Sequence, residues 1–177
     1  MAEFDISFQK VLSYEGGYVN DPDDPGGETY KGIARKMNSK WDGWVLVDLL
    51  KQKPGFPANL EKDSELQRKI NDFYRVNYWD AILGDQITDQ TVATSIFDFA
   101  VNAGVKTSAC LAQMVVDAIA DCVIGPQSIA KINGFDPEHF LASFTIAKIA
   151  RYISIVKGRP TSQKYFYGWV CRAIGNN

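Results

Sequence analysis

The stretch EGGYVNDPDDPGGETYKGI, residues 15–33, decides how this chain is read. It begins where an apolar helical stripe ends. Phe4, Phe8, Val11 and Leu12 repeat at helical spacing, and Glu15 falls on the same face, seven residues after Phe8 and four after Val11. The spacing predicts a helix from Phe4 to Glu15, closed by Gly16-Gly17. A carboxyl on the buried side of a helix is costly to ionise. A helix C-terminus disfavours a further negative charge. Both effects predict a raised pKa for Glu15, as a general acid working near neutral pH requires.

The rest of the stretch cannot be helix. Pro22, Pro25 and Gly26-Gly27 break it repeatedly, and its Asn-Asp-Pro and Asp-Pro-Gly-Gly steps mark turns. Four acids and two tyrosines beside a helix end suit charge-stabilising chemistry better than they suit a linker. In glycoside hydrolysis one carboxylic acid protonates the leaving oxygen and a second carboxylate acts on the opposite face of the sugar. Asp24 lies nine residues after Glu15, and Asp21, Asp23 and Glu28 compete with it for the second role. Thr29 supplies a hydroxyl able to orient water. Sugars stack their C–H faces on aromatic rings, which makes Tyr18 and Tyr30 sugar contacts, with Asn20 and Asp21 beside them.

These residues carry a family resemblance. EGGYVNDPDDPGG followed by Thr29 and Gly32-Ile33 resembles glycoside hydrolase family 108, the N-acetylmuramidases of phages and bacteria. In the second half FDFAVNAG (97–104), IGP (124–126) and Gly168-Trp169 resemble the peptidoglycan-binding-like domain that accompanies it. The resemblance covers nearly the whole chain. It implies an all-α, lysozyme-like fold with a Gly/Asp/Pro-rich active-site loop able to hold a short β-hairpin. It also implies peptidoglycan glycan strands as substrate, Glu15 as the acid, and a preference for Asp24 as second carboxylate with Thr29 beside it. The chain departs from the family where Tyr30-Lys31 replaces Asn-Tyr and where Asp121-Cys122-Val123 replaces Asp-Gly before IGP.

Composition agrees. The 177 residues are 46% hydrophobic and 23% charged, ordinary for a globular protein, and the net charge of −2 gives no global attraction to nucleic acid. No Cys-x-x-Cys or His-rich spacing occurs and His139 is the only histidine, so neither a metal nor another cofactor is expected. Cys110, Cys122 and Cys171 read as small buried hydrophobes with reduced thiols. The acidic, periodic start gives no signal-peptide pattern, and no apolar run approaches a membrane span. A chain made in the cytoplasm would then reach the wall through a holin or a non-classical route.

The remaining elements read as helices: 33–40, 44–52, a helix capped by Ser64 with Gln67 and running to Tyr78, 91–103, 107–120, one opened by Pro126, one from Asp136-Pro137 to about Val156, and a last one from Thr161. Two lobes are expected, catalytic 1–88 and peptidoglycan-binding-like 89–177, packed together around a glycan cleft. Asp98 and Asn102 share a face of the apolar 91–103 helix. They either bond to neighbouring structure or line that cleft, Asn102 as a sugar contact. The sequence does not specify an oligomeric state. The competing functions are a lytic transglycosylase and a non-catalytic wall-binding or secretion-related protein that keeps the fold.

Overall fold

The computed structural model describes residues 1–21 and 26–175; Asp23 and Asp24 therefore lie outside the described residues. Among the described residues are eight α-helices and one three-stranded antiparallel sheet, the mostly helical class expected. They form two compact units, 4–77 and 78–177 together with 1–3.

The first unit opens with α1 (Phe4–Leu12). Its buried Phe4, Phe8 and Val11 form the predicted stripe, with the Phe4 and Phe8 rings stacked 5.2 Å apart. The α-helix stops at Leu12, short of Glu15. Beyond it the bonds tighten: Tyr14 N–H donates to Val11 O and Glu15 N–H to Leu12 O. Apolar spacing does not distinguish such a tightened turn from another α-helical turn.

The acidic loop joins β1 (Tyr18–Asn20) to β2 (Glu28–Tyr30), which pairs with β3 (Ile33–Ala34). The expected helix at 33–40 is corrected to this strand and the turns after it, because pairing with β2 claims Ile33 and Ala34. Next come α2 (Gly43–Lys51) and α3 (Ser64–Tyr74). The cap of α3 is Asp63, whose carboxylate accepts from Leu66 N–H at 2.9 Å, so Ser64 is its first helical residue rather than its cap. A π-helical turn, Arg75–Trp79, follows.

The second unit holds α4 (Gln90–Ala103), α5 (Val105–Val115), α6 (Pro126–Gly134), α7 (Pro137–Gly158) and α8 (Gln163–Ile174). α4 packs on α5 and α7, and α7 on α8. Phe97, Phe99, Phe140 and Phe144 are fully buried there. By length and mean hydropathy α7 meets the criterion for a membrane-crossing helix, a test that the core helix of a globular protein also passes, although Lys148 and Arg151 interrupt its apolar run. In this unit α7 buries Phe140, Phe144, Lys148 and Tyr152. The Lys148 ammonium reaches Ser95 Oγ at 3.4 Å and the Ala173 carbonyl at 3.3 Å.

Asp89 caps α4. Its carboxylate accepts from the Thr91 hydroxyl and from the Thr91 and Val92 amides, and these bonds, the hydroxyl's first, hold its pKa below 3.8. A depressed carboxylate contributes stability that is complete above its unfolded pKa and is lost as pH falls through the lowered value. Asp89→Ala should cost ~1 kcal/mol near neutral pH. In thermal melts its deficit relative to wild type should shrink as the pH is lowered below 3.8.

Candidate active site

β2 and β3 are joined by two residues, Lys31 and Gly32, both with positive φ (47° and 75°). That is the signature of a type I′ hairpin, whose twist matches the flanking strands. The turn lies directly against Glu15. A Cβ at Gly32 would come 2.4 Å from Glu15 Oε2 and 2.7 Å from Tyr74 Oη. Only a glycine leaves room for both oxygens. The Tyr74 hydroxyl donates to the Lys31 carbonyl at 2.7 Å, which ties the hairpin to α3. Glu15 is half-buried and Gly32 is exposed, so the carboxylate borders a surface that a ligand can reach.

The sheet sorts the other candidates. Glu28 has a side chain only 10% exposed and is fully engaged. It accepts from Arg35 at 2.9 Å and from the Tyr18 hydroxyl at 2.9 Å, and it pairs with Lys51. Arg35 also reaches Asp48 at 2.6 Å and lies over the Trp44 ring. This network braces β2 against α2, and it removes Glu28 from competition for the second catalytic role. Burial, then the bond to Glu28, holds the Tyr18 phenol above its ordinary value. The Tyr18 ring is half-buried, edge-on to Phe56 at 4.7 Å.

Tyr30 corrects the sequence reading. It is 1% exposed, and its hydroxyl accepts from Gln67 at 3.1 Å. Burial pushes its phenol up to about 12. Tyr30 is therefore a core residue and presents no face to a sugar. Its strand neighbours alternate outward. Thr29 is half-buried and its hydroxyl donates to the Gly27 carbonyl at 3.2 Å. Asn20 and Asp21 are exposed. The departure at Lys31 falls in the hairpin turn, where its ammonium pairs with Glu61 at 3.0 Å.

Asn102 and Asp98 belong to the second unit, where each has a partner. Tyr152 donates to Asn102 at 2.9 Å, and Arg172 donates to Asp98 through Nε at 3.0 Å and Nη2 at 2.9 Å. Neither Gly32, which the sequence marks only as part of the family motif, nor Tyr74 is among the predicted site residues. A two-residue Lys-Gly step between short β-forming runs was the available signal for Gly32. Tyr74 carried no signal beyond its place on an apolar face.

The cysteine reading is also corrected: Cys110 and Cys122 form a disulfide, and Cys171 is a free, half-buried thiol. The chain reversal after α5 brings the pair together, a proximity that residue counting does not show. Cys122 takes φ 65°, a left-handed backbone form that glycine adopts most readily. Gln113, 1% exposed, holds this corner by donating to Asp121, Val123 O and Ser128 and accepting from Cys122 N–H. Among the described residues no cluster of His, Cys, Asp and Glu could hold a metal ion.

A mostly helical chain that sets a carboxylate just past its first helix, against a small hairpin, is a lysozyme-like protein. Residues 8–104 match the family model described as Glycosyl hydrolase 108, and residues 105–174 match the one described as Predicted Peptidoglycan domain. The chain belongs to glycosyl hydrolase family 108 and is a glycoside hydrolase acting on peptidoglycan. It is similar to the solved structure of Brucella abortus SagA, at 28% identity and a TM-score of 0.70, over 98% of this chain and 90% of that one. Comparison with curated proteins returned no match.

Proposed function

We propose that the protein is an N-acetylmuramidase in which Glu15 protonates the glycosidic oxygen. The placement of its carboxylate over Gly32, beside the Tyr74 hydroxyl and at an accessible surface, carries this reading. A fixed, partly shielded carboxyl is what general acid catalysis needs. Asp24 is the second carboxylate, and Thr29 positions water or an N-acetyl group. Asn20, Asp21 and the exposed part of Tyr18 contact sugar. A disulfide persists in oxidising surroundings, which suits action outside the cytoplasm, where the wall is. Holin-assisted release, as in a prophage endolysin, would bring it there.

Product analysis tests the reaction. Digested sacculi should yield reducing N-acetylmuramic acid ends by mass spectrometry. Anhydro-muramic ends would make the enzyme a lytic transglycosylase, and reducing N-acetylglucosamine ends would make it a glucosaminidase. Within the acidic loop, Asp24→Asn should lower the rate by ~10²-fold, well beyond Asp21→Asn or Asp23→Asn. Equal, small losses at all three would place the second group elsewhere. If Asp24 is confirmed, its separation from Glu15 gives the stereochemistry: ~5–5.5 Å for retention, ~6.5–9.5 Å for inversion.

A further inference from the structure

In the first unit, Trp41 is held rigidly without being buried. Its six-membered ring lies so close over Gly43 that a Cβ there would be 2.3 Å from Cζ2. Trp44 meets it edge-on at 5.3 Å and Phe73 at 5.9 Å. Trp44 and Trp79, by contrast, are 3% and 0% exposed, as packing tryptophans usually are. Trp41 stays half-exposed between two open concavities of about 490 and 330 Å³. Trp41, Phe73 and Asn77 line both.

The polar fringe suits an uncharged or anionic ligand. Asn38 and Lys40 edge the larger concavity. The amide NH₂ groups of Asn38 and Asn77 are spent on the Ala34 and Phe73 carbonyls, and among the described residues no donor reaches either Oδ1. Each oxygen is left to accept from a hydroxyl or N-acetyl N–H. Lys40 has no carboxylate partner among the described residues, whereas the cations of the smaller concavity are paired, Arg68 with Asp72 and Lys69 with Asp42. Phe73 also meets the Tyr74 ring at 5.7 Å, so the ring cluster runs along α3 to the residue whose hydroxyl borders Glu15.

We propose that Trp41, with Phe73, is a carbohydrate platform that holds amino-sugar rings of a wall glycan strand outside the Glu15 site. An exposed aromatic face with a few convergent polar groups is the usual composition of such a site. Lys40 offers charge to the carboxylates that muramyl units and their stem peptides carry. The proposal rests on the muramidase reading and adds a binding site to it.

The test uses the full chain and soluble peptidoglycan fragments. Trp41→Ala should raise KM by about tenfold while leaving kcat within about twofold, the pattern of lost uniform binding. Trp41→Phe should restore KM, because it keeps an aromatic face. In a Glu15→Gln background, Trp41→Ala should also weaken sedimentation with purified sacculi. Should Trp41→Ala fail to fold, Lys40→Glu combined with Asn77→Ala should raise KM about fivefold, since both side chains are exposed. An unchanged KM in the folded variant, or a loss confined to kcat, would overturn the platform. A Glu15→Gln enzyme that still lysed walls would instead overturn the muramidase reading, so the two failures are distinct.

Discussion

Glu15→Gln is expected to abolish turnover on peptidoglycan, by ~10³-fold or more, at the strong end of the range for a positioned general acid. The fold should survive. Gln fills the same volume, so the contact with Gly32 is kept. Glu15 lies in a bonded turn beyond α1 and is only half-buried, so the change falls outside the helix stripe that Phe4, Phe8 and Val11 provide. Circular dichroism and a thermal melt should match wild type within ~0.5 kcal/mol. A muralytic assay then isolates the chemistry. Near-wild-type clearing of cell walls by the variant would remove Glu15 from the mechanism and leave the acidic loop to supply the acid.

The parts of this site that were legible in the sequence are those fixed by local rules. The stripe of α1 and the long helix opened by Asp136-Pro137 both read correctly, because periodicity and proline act over a few residues. What could not be read depends on partners distant in sequence. Tyr30 and Tyr18 look alike in the loop. Pairing places them opposite one another, yet Tyr30 is sealed under Gln67 of α3 while Tyr18 stays half-exposed beside Glu28. Ile33-Ala34 has helix-compatible residues and becomes a strand only because β2 is there to pair with it. Cys110 and Cys122 are twelve apart, and their bond follows from a chain reversal that no local pattern announces. Asp98 and Asn102 were correctly read as needing partners, but those partners, Arg172 and Tyr152, come from helices fifty or more residues away.

Gly32→Val is expected to disable the enzyme although residue 32 carries no chemistry. A Cβ at this position meets Glu15 Oε2 at 2.4 Å and Tyr74 Oη at 2.7 Å, so both oxygens must move. A displacement of about 1 Å in a catalytic group can cost ~10²-fold in rate. The backbone adds a second penalty. At φ 75° a β-branched residue is strained by ~1–2 kcal/mol, and the Tyr74 hydroxyl loses its grip on the Lys31 carbonyl. Together these predict ~3 kcal/mol lower stability, read as a drop of several degrees in melting temperature. Lys31→Asn is the control. It creates Asn-Gly, the pair that a type I′ turn favours, and puts no new atom against Glu15. That variant should keep its rate and melt no lower than wild type, since the favoured turn pair offsets the loss of the single, partly exposed ion pair with Glu61. If Gly32→Val retained full activity, the hairpin would not position the acid. If Lys31→Asn lost activity as severely as Gly32→Val, the Lys31 side chain, and not the space above Gly32, would be what the site requires.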